Sequence, residues 1–267
     1  MSEHRYLHSD EKYDEELGRL KLQESIIDPN TIHHFKTIGV SEGWRCLEVG
    51  AGAGSMAQWL SRCVWPSGKV VATDINTRFL DRISAANLEI RRHNILDDDI
   101  EGGHYDLAHC RLVLGHLPEP VKALRRMTDA LRPGGWLLVE EWDAGSALST
   151  DVTDSSAAPF TAALRAMWDY LREKGIADPY LGRRLRGLVE QLGFVEVGHD
   201  GWVLMARGGD SYSRDAVATL PTMFARGVLT QEQCQILQHH LLDSSFNWIG
   251  PVMFDAWGRK PVQGGGT

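Results

Sequence analysis

Three glycines at alternate positions, Gly50, Gly52 and Gly54, follow an acidic residue, Glu48, in the run Leu47-Glu48-Val49-Gly50-Ala51-Gly52-Ala53-Gly54-Ser55-Met56. Glycine needs no Cβ clearance and takes positive φ, so such a loop turns sharply and lets a ligand lie against backbone N–H groups at a helix N-terminus. Trp44 to Val49 reads as a short strand leading in, and Ser55 to Arg62, apolar at helical spacing, as the helix leading out. A second chemical group stands at Asp74, where the apolar run Lys69-Val70-Val71-Ala72-Thr73 ends. A carboxylate at the tip of the second strand of a nucleotide-binding sheet is placed to accept from ribose hydroxyls. Nicotinamide-binding loops space their glycines G-x-G-x-x-G; this one is E-x-G-x-G-x-G, which disfavours a nicotinamide oxidoreductase without excluding it.

Five segments in order, LEVGAGAG (Leu47 to Gly54), VVATDI (Val70 to Ile75), NILD (Asn94 to Asp97), YDLAHCRLVLGHL (Tyr105 to Leu117) and LRPGGWLLVEE (Leu131 to Glu141), carry a resemblance to the class I S-adenosylmethionine-dependent methyltransferases. The resemblance covers roughly Gln23 to Phe194, and its wording is similar to the bacterial small-molecule enzymes of secondary and quinone metabolism. It implies transfer of a sulfonium methyl group to an oxygen, nitrogen or carbon nucleophile of a small, apolar or aromatic acceptor. The alternatives are the nicotinamide oxidoreductase and a cofactor-binding protein of the same fold that transfers nothing.

The resemblance also assigns roles. Gly50, Ala51, Gly52 and Gly54 would pass under the amino acid and sulfonium of S-adenosyl-L-methionine, and Asp74 would accept both ribose hydroxyls, since an ionised carboxylate only accepts. Glu48 would orient loop amides, sense the ligand ammonium, or serve structure alone. Asn94 stands where the family usually has an aspartate that accepts from the adenine amino group; its amide oxygen can do so without charge assistance. Ile95 and Ile75 would then lie on the two adenine faces. Arg111 matches a position whose backbone meets the cofactor, and Arg19 and Gln23 lie on an N-terminal segment that folds over the ligand in relatives. His116 is a candidate general base, because its pKa suits proton removal near neutrality, although in the family a histidine at this position is often structural. Glu141 and Asp143 end the fifth strand, where doubly wound sheets place ligand chemistry.

The elements that must position these groups are an α/β alternation: a doubly wound, Rossmann-like, mostly parallel seven-stranded sheet. Strands are expected at 44–49, 69–74, 88–93, 105–110, 136–141, 194–206 and 251–258, the sixth as a pair or one bent strand. Helices are expected at 13–27, ended by Asp28-Pro29, and at 31–38, 55–62, 78–86, 118–131, 160–174, 181–192, 214–225 and 230–243. Residues 1–40 form an N-terminal helical cap segment and 41–258 the catalytic domain. Helical insertions around 143–192 and 210–245 complete the cap, with Trp168, Trp202, Met205, Met223, Phe224, Phe246 and Trp248 as its apolar lining, and 259–267 is a flexible tail.

Composition narrows the partners. The chain has 267 residues, 28 basic against 36 acidic side chains and a formal charge of −8, with its arginine pairs scattered. Concentrated positive charge is what binds a phosphate backbone, so no nucleic-acid partner is expected. Four cysteines without a C-x-x-C pair fit a reducing compartment. The N-terminus lacks an apolar leader and no run approaches the roughly 18 residues a spanning helix needs. A cytoplasmic protein acting on a small-molecule acceptor is expected, with no membrane partner and a homodimer left open. No H-E-x-x-H or comparable spacing suggests a metal, and no G-x-S-x-G suggests a hydrolase.

Overall fold

The computed structural model describes residues 13–150 and 157–262. The start of the expected cap segment (1–12), part of the expected insertion after Asp143 (151–156) and the end of the expected tail (263–267) lie outside the described residues. The chain divides into a sheet unit (13–141, 184–200 and 255–262) and a helical unit (142–183 and 201–254).

The sheet unit begins with α1 (Tyr13–Ile38) and continues through β1 (Arg45–Val49), α2 (Ser55–Val64), β2 (Lys69–Asp74), β3 (Leu88–Arg92), β4 (Tyr105–Arg111), α3 (Pro120–Ala130) and β5 (Leu131–Asp143). Two elements follow after the insertion: α5 (Leu185–Gln191) and β7 (Val195–Arg207). The final strand is β8 (Asn247–Arg259). The strand order is β3-β2-β1-β4-β5-β8, with β7 beside β8. The pairs β1–β2, β2–β3, β1–β4 and β4–β5 are all parallel. The order reverses between β1 and β4, so the connections that follow these two neighbours leave to opposite sides and open a crevice beyond their carboxyl ends. Phe35, Cys46, Met56, Leu60, Val64, Val70, Leu107 and Leu138 fill the core that holds α1 and α2 against the sheet. The apolar run Val70 to Ala72 of β2 suits a strand covered on both faces.

The helical unit is built on α4 (Ala158–Glu173), α6 (Ser211–Ala225) and α7 (Gln231–Leu242). Its own core contains Phe160, Met167, Leu171, Leu220, Leu237 and Leu241. Met223 and Trp248, expected to line a ligand roof, are core residues here, and the Trp248 indole donates to Ser213 Oγ at 3.0 Å. Met205 and Phe224 are exposed. A two-residue strand, β6 (Leu148–Ser149), pairs antiparallel with Trp248 and Ile249, giving eight strands among the described residues where the sequence suggests seven. A pairing of two residues leaves no periodic signal in sequence.

Two helix expectations are corrected. Asp28-Pro29 does not stop the first helix; α1 runs through Pro29 to Ile38 as one element. Proline removes one helical hydrogen bond, but side chains on both sides of the gap are anchored to the sheet unit, Asp28 by Arg111 and Asn30 by Asp255, so the helix keeps its direction. The helix expected at 78–86 is replaced by a three-residue 3₁₀ turn, Thr77–Phe79, and a second turn closed by Ile83 N–H on Leu80 O at 2.9 Å. The two turns put Leu80 and Ile83 against Ala51, Ala57 and Ala72, and Asn87, bonded to Ser61 of α2 through its side chain, leads into β3 at Leu88, where the strand is expected.

Candidate functional site

The glycine loop leaves β1 at Val49 and enters α2 at Ser55, with Gly50, Gly52 and Gly54 all at positive φ (72°, 56° and 88°). The three are not equivalent. A Cβ on Gly50 would lie 2.2 Å from Val113 Cγ2, and one on Gly54 would lie 2.1 Å from Ile83 Cδ1. These two glycines allow neighbouring loops to pack. A Cβ on Gly52 would meet only Leu20 Cδ2 of α1, at the van der Waals distance of 3.8 Å, so the middle of the loop is not filled by a clashing neighbour. The loop is tied to β2 by Gly50 and Ala51 N–H groups on Thr73 O at 2.8 and 3.0 Å.

Asp74, at the tip of β2, accepts from Gly52 N–H at 3.0 Å and Asn76 N–H at 2.9 Å. Burial raises its pKa, and those backbone donors offset part of the rise. A carboxylate has about four lone-pair directions, so acceptor capacity remains after both bonds. Ile75 follows with 55% of its surface exposed, an apolar side chain uncovered at the strand tip. His93 N–H bonds Asp74 O at 2.9 Å, which brings the turn carrying Asn94 and Ile95 beside it. Ile95 is buried. Asn94 is already engaged: Oδ1 accepts from Leu96 N–H at 3.0 Å and Nδ2 donates to Asp97 at 2.8 Å, so Asp97 is part of this turn's bonding as well as a solvated acid.

α1 lies over the loop. Ser55 N–H, at the start of α2, donates to Glu24 Oε1 at 3.0 Å, and Ser55 Oγ donates to Asp28 Oδ1 at 3.0 Å. The first turn of α2 has no acid of its own, and carboxylates from α1 take that place at the positive end of the helix dipole. Burial raises the Glu24 pKa. Gln23 is half-buried on the adjoining position, and Arg19, one turn earlier, is buried in a two-bond contact with Glu16 at 2.8 and 2.7 Å.

Beneath the loop lies a buried polar chain. Glu48 on β1 is in register with His109 on β4, and His109 Nδ1 meets Glu48 Oε2 at 2.6 Å while Nε2 meets Glu140 Oε2 at 2.9 Å. Thr31 of α1 donates to Glu140 at 2.8 Å; Arg111 donates to Thr31 Oγ1 and to Asp28, both at 2.8 Å. Burial alone would lower the His109 pKa, but the Glu48 charge and the bonds to Glu140 and Glu48 push it up to about 9. Burial pushes Glu140 upward, but the His109 bond and charge, the Arg111 charge and the Thr31 bond together outweigh it, leaving Glu140 below its ordinary value. Asp255 on β8, raised to about 6 chiefly by burial, accepts from Asn30 and meets His34 Nε2 at 3.1 Å.

At the ends of β4 and β5, Leu112 holds a left-handed φ of 56° with its N–H on Glu140 O at 2.9 Å. A bulky residue in that region costs of order 1 kcal/mol and persists where surroundings impose it. The 3₁₀ turn Leu114–His116 follows, and Gly115 N–H donates to Glu141 Oε1 at 3.1 Å. Glu141 therefore braces the turn that carries His116, which is half-buried. Asp143, in the helical unit, is held by two bonds from Arg183 at 2.7 Å each.

The structure thus brings Glu48, the glycine loop, Asp74, Arg111 and the Gln23 face of α1 together, and separately sets Glu141 on the backbone of the turn that carries His116. Sequence reading passed over His109, Glu140, Thr31, Glu24 and Asp255. The signal available was a polar residue inside an otherwise apolar strand, which must find a partner when buried. All four cysteines are free, with Cys46 and Cys110 buried. Among the described residues no cluster of three or more metal-ligating side chains occurs, and no described helix is long and apolar enough to cross a membrane.

A methyltransferase-domain family model matches residues 8–197, and the chain belongs to that family. It is 31% identical over 179 residues to methyltransferase str3 of Strobilurus tenacellus, covering 66% of this chain and 62% of the relative. It is 35% identical over 112 residues to the ubiquinone/menaquinone biosynthesis C-methyltransferase UbiE of Pseudomonas entomophila, covering 39% and 44%. The chain thus spans less than two thirds of the length of these curated relatives. Among solved structures, phosphoethanolamine N-methyltransferase 2 of Haemonchus contortus, in complex with S-adenosyl-L-methionine, superposes with a TM-score of 0.58 at 14% identity, covering 98% of this chain and 60% of that one. The YcgJ protein of Bacillus subtilis gives 0.58 at 15% identity, covering 85% and 96%. These likenesses establish the fold.

Proposed function

We propose that this protein transfers a methyl group from S-adenosyl-L-methionine to a small, apolar or aromatic acceptor. The observation that carries the reading is the contrast within the glycine loop: a Cβ on either outer glycine would clash with protein, while one on Gly52 would meet only the Leu20 side chain at van der Waals distance, and the Gly52 N–H is held on Asp74. A side-chain-free stretch of backbone beside an acid suited to a ribose diol supports a cofactor cradle there. The residues fit the cofactor the family uses.

When bound, the cofactor supplies a methyl group activated by its sulfonium charge. The chain's part is to hold and to shield. Gly50, Ala51, Gly52 and Gly54 present a side-chain-free floor, and Asp74 accepts the ribose hydroxyls. Ile75 and Ile95 offer apolar surface to the base, with Asn94 beside them. Gln23, Arg19 and the α1 carboxylates serve the amino-acid end, and Glu48 and Arg111 brace the floor from below. Methyl transfer from a sulfonium needs little covalent help, so positioning and exclusion of water carry most of the rate. His116, set by Glu141, takes a proton where the acceptor must lose one. The UbiE relative, whose name records C-methylation in quinone biosynthesis, supports an aromatic acceptor.

Calorimetry against S-adenosyl-L-methionine, S-adenosylhomocysteine and NADH tests the cofactor, and a mass-spectrometric screen of phenols and quinols with labelled cofactor tests the transfer. Binding of NADH alone, or of the sulfonium cofactor with no product from any acceptor class, would overturn the reading.

A further inference from the structure

His109 is fully buried between two carboxylates, with Nδ1 2.6 Å from Glu48 and Nε2 2.9 Å from Glu140. An ionised carboxylate only accepts hydrogen bonds, so each contact requires an N–H, and only the imidazolium carries two. Neutral imidazole would turn a lone pair toward one of two buried carboxylates, at the cost of an unsatisfied buried charge. Both contacts point somewhere useful. Glu48 precedes the glycine loop by two residues on β1. Glu140 accepts from Thr31 of α1, and Thr31 and Asp28, three residues apart on one helix face, both receive Arg111. Asp28 accepts from Ser55 Oγ, whose own N–H donates to Glu24.

We propose that His109 is a positioning residue for the cofactor: its doubly donating form fixes Glu48 under the glycine loop and Glu140 under Thr31, and thereby seats α1 on the N-terminus of α2. Cofactor affinity then depends on one buried proton some distance from the ligand. The inference rests on the cofactor lying over the glycine loop, as proposed above.

The charged groups around His109 come from every element packed on it: Glu48 of β1, Glu140 of β5, Arg111 of β4, Asp255 of β8 and His34 of α1, with Asp200 of β7 acting on His34. The Phe35 ring meets the imidazole edge-on at 4.9 Å and closes off the α1 side. Loss of the His109 proton leaves Glu48, Glu140 and Asp255 facing Arg111 and His34. The elevated pKa of His109, about 9, agrees with the bond count. α1 keeps an independent tether, because His34 and Asn30 both reach Asp255. Breaking the Thr31 link therefore shifts the helix locally rather than detaching it.

The test is the dissociation constant of S-adenosylhomocysteine, by calorimetry from pH 6.5 to 10, for the parent, Thr31→Val and Asp74→Ala. The ligand's own amine titrates alike in all three, so ratios between proteins report the protein's contribution. Thr31→Val cuts the path from Glu140 to Arg111 while leaving His109 and both its partners in place. It is expected to bind about tenfold more weakly than the parent at pH 7, the loss typical of one hydrogen bond to a charged group. The gap should narrow toward pH 10, because the parent has by then lost the same seating. Parent-like affinity in Thr31→Val, or a ratio constant across the range, overturns the inference, and if Asp74→Ala is weakened in the same experiment the site reading stands without it. Parent-like affinity in Asp74→Ala overturns the site reading and the inference together.

Discussion

Gly52 N–H donates to Asp74 Oδ2 at 3.0 Å, so the loop that follows β1 and the acid that ends β2 form one unit. Asp74→Ala therefore removes the ribose acceptor and a tether of the glycine loop at once. We expect cofactor affinity to fall by about 1.5 to 3 kcal/mol, the order for charge-assisted bonds, and calorimetry with S-adenosylhomocysteine measures it. Because burial raises the Asp74 pKa, affinity in the parent should begin to weaken with acid above the ordinary carboxylate range, as protonation removes an acceptor. Asp74→Ala should lack that acid limb.

The glycines of the loop make a discriminating pair. Gly50→Ala places a methyl group within 2.2 Å of Val113 Cγ2 at positive φ, so overpacking and backbone strain together should cost about 2 to 4 kcal/mol of stability. Gly52→Val meets no such wall, and its stability loss should stay near the strain term of about 1 to 2 kcal/mol. Its cofactor affinity should nevertheless drop at least about 100-fold, because the side chain occupies the ligand's space. Denaturant melts and calorimetry on both variants separate the two roles; a Gly52→Val protein that binds normally would remove the loop from the site.

Stability should fall on the alkaline side. His109 has a folded pKa of about 9 against an ordinary 6.5, so between those values the native state holds a proton that the unfolded state has released. Its contribution is complete below about 6.5 and is lost as pH rises through 9. His34, also raised, acts in the same direction. We expect Tm to drop by roughly 5 °C between pH 7 and 10, with most of that slope missing in His109→Gln. A flat profile in the parent would show that the imidazole is neutral in the folded protein.

The strands that build this site are legible because each is a short apolar run closed by the residue that does the chemistry, as Val70 to Thr73 is closed by Asp74. Helices whose boundaries depend on tertiary anchors are not. Asp28-Pro29 carries the local signal of a helix end, yet α1 continues because Arg111, Glu140 and Asp255 hold the residues on either side. Residues 78–86 have helical spacing, but the chain there folds into two short turns that place Leu80 and Ile83 against Ala51, Ala57 and Ala72. The Glu48–His109–Glu140 chain was beyond reach for a different reason. Its members are 61 and 31 residues apart, and only the β1–β4–β5 strand order makes them neighbours.

His116 and Glu141 remain the pair on which the chemistry of transfer turns, and the bond from Gly115 N–H to Glu141 gives them separable signatures. If His116 removes the acceptor's proton, His116→Asn should lower turnover on a phenol or alcohol by about 10² to 10⁴ while cofactor affinity and Tm stay near the parent. Glu141→Gln keeps an acceptor oxygen for Gly115 N–H and should retain most activity, whereas Glu141→Ala leaves that buried N–H unpaired, frees the turn and should lower both stability, by about 1 to 3 kcal/mol, and turnover. A Glu141→Gln protein as inactive as His116→Asn would instead make the carboxylate itself the base. The pH profile of turnover decides between them, because a base at 116 gives an alkaline-rising limb that vanishes in His116→Asn and survives in Glu141→Gln. Full activity of His116→Asn on a weakly acidic phenol would leave the histidine a packing role and show that this acceptor sheds its proton unaided.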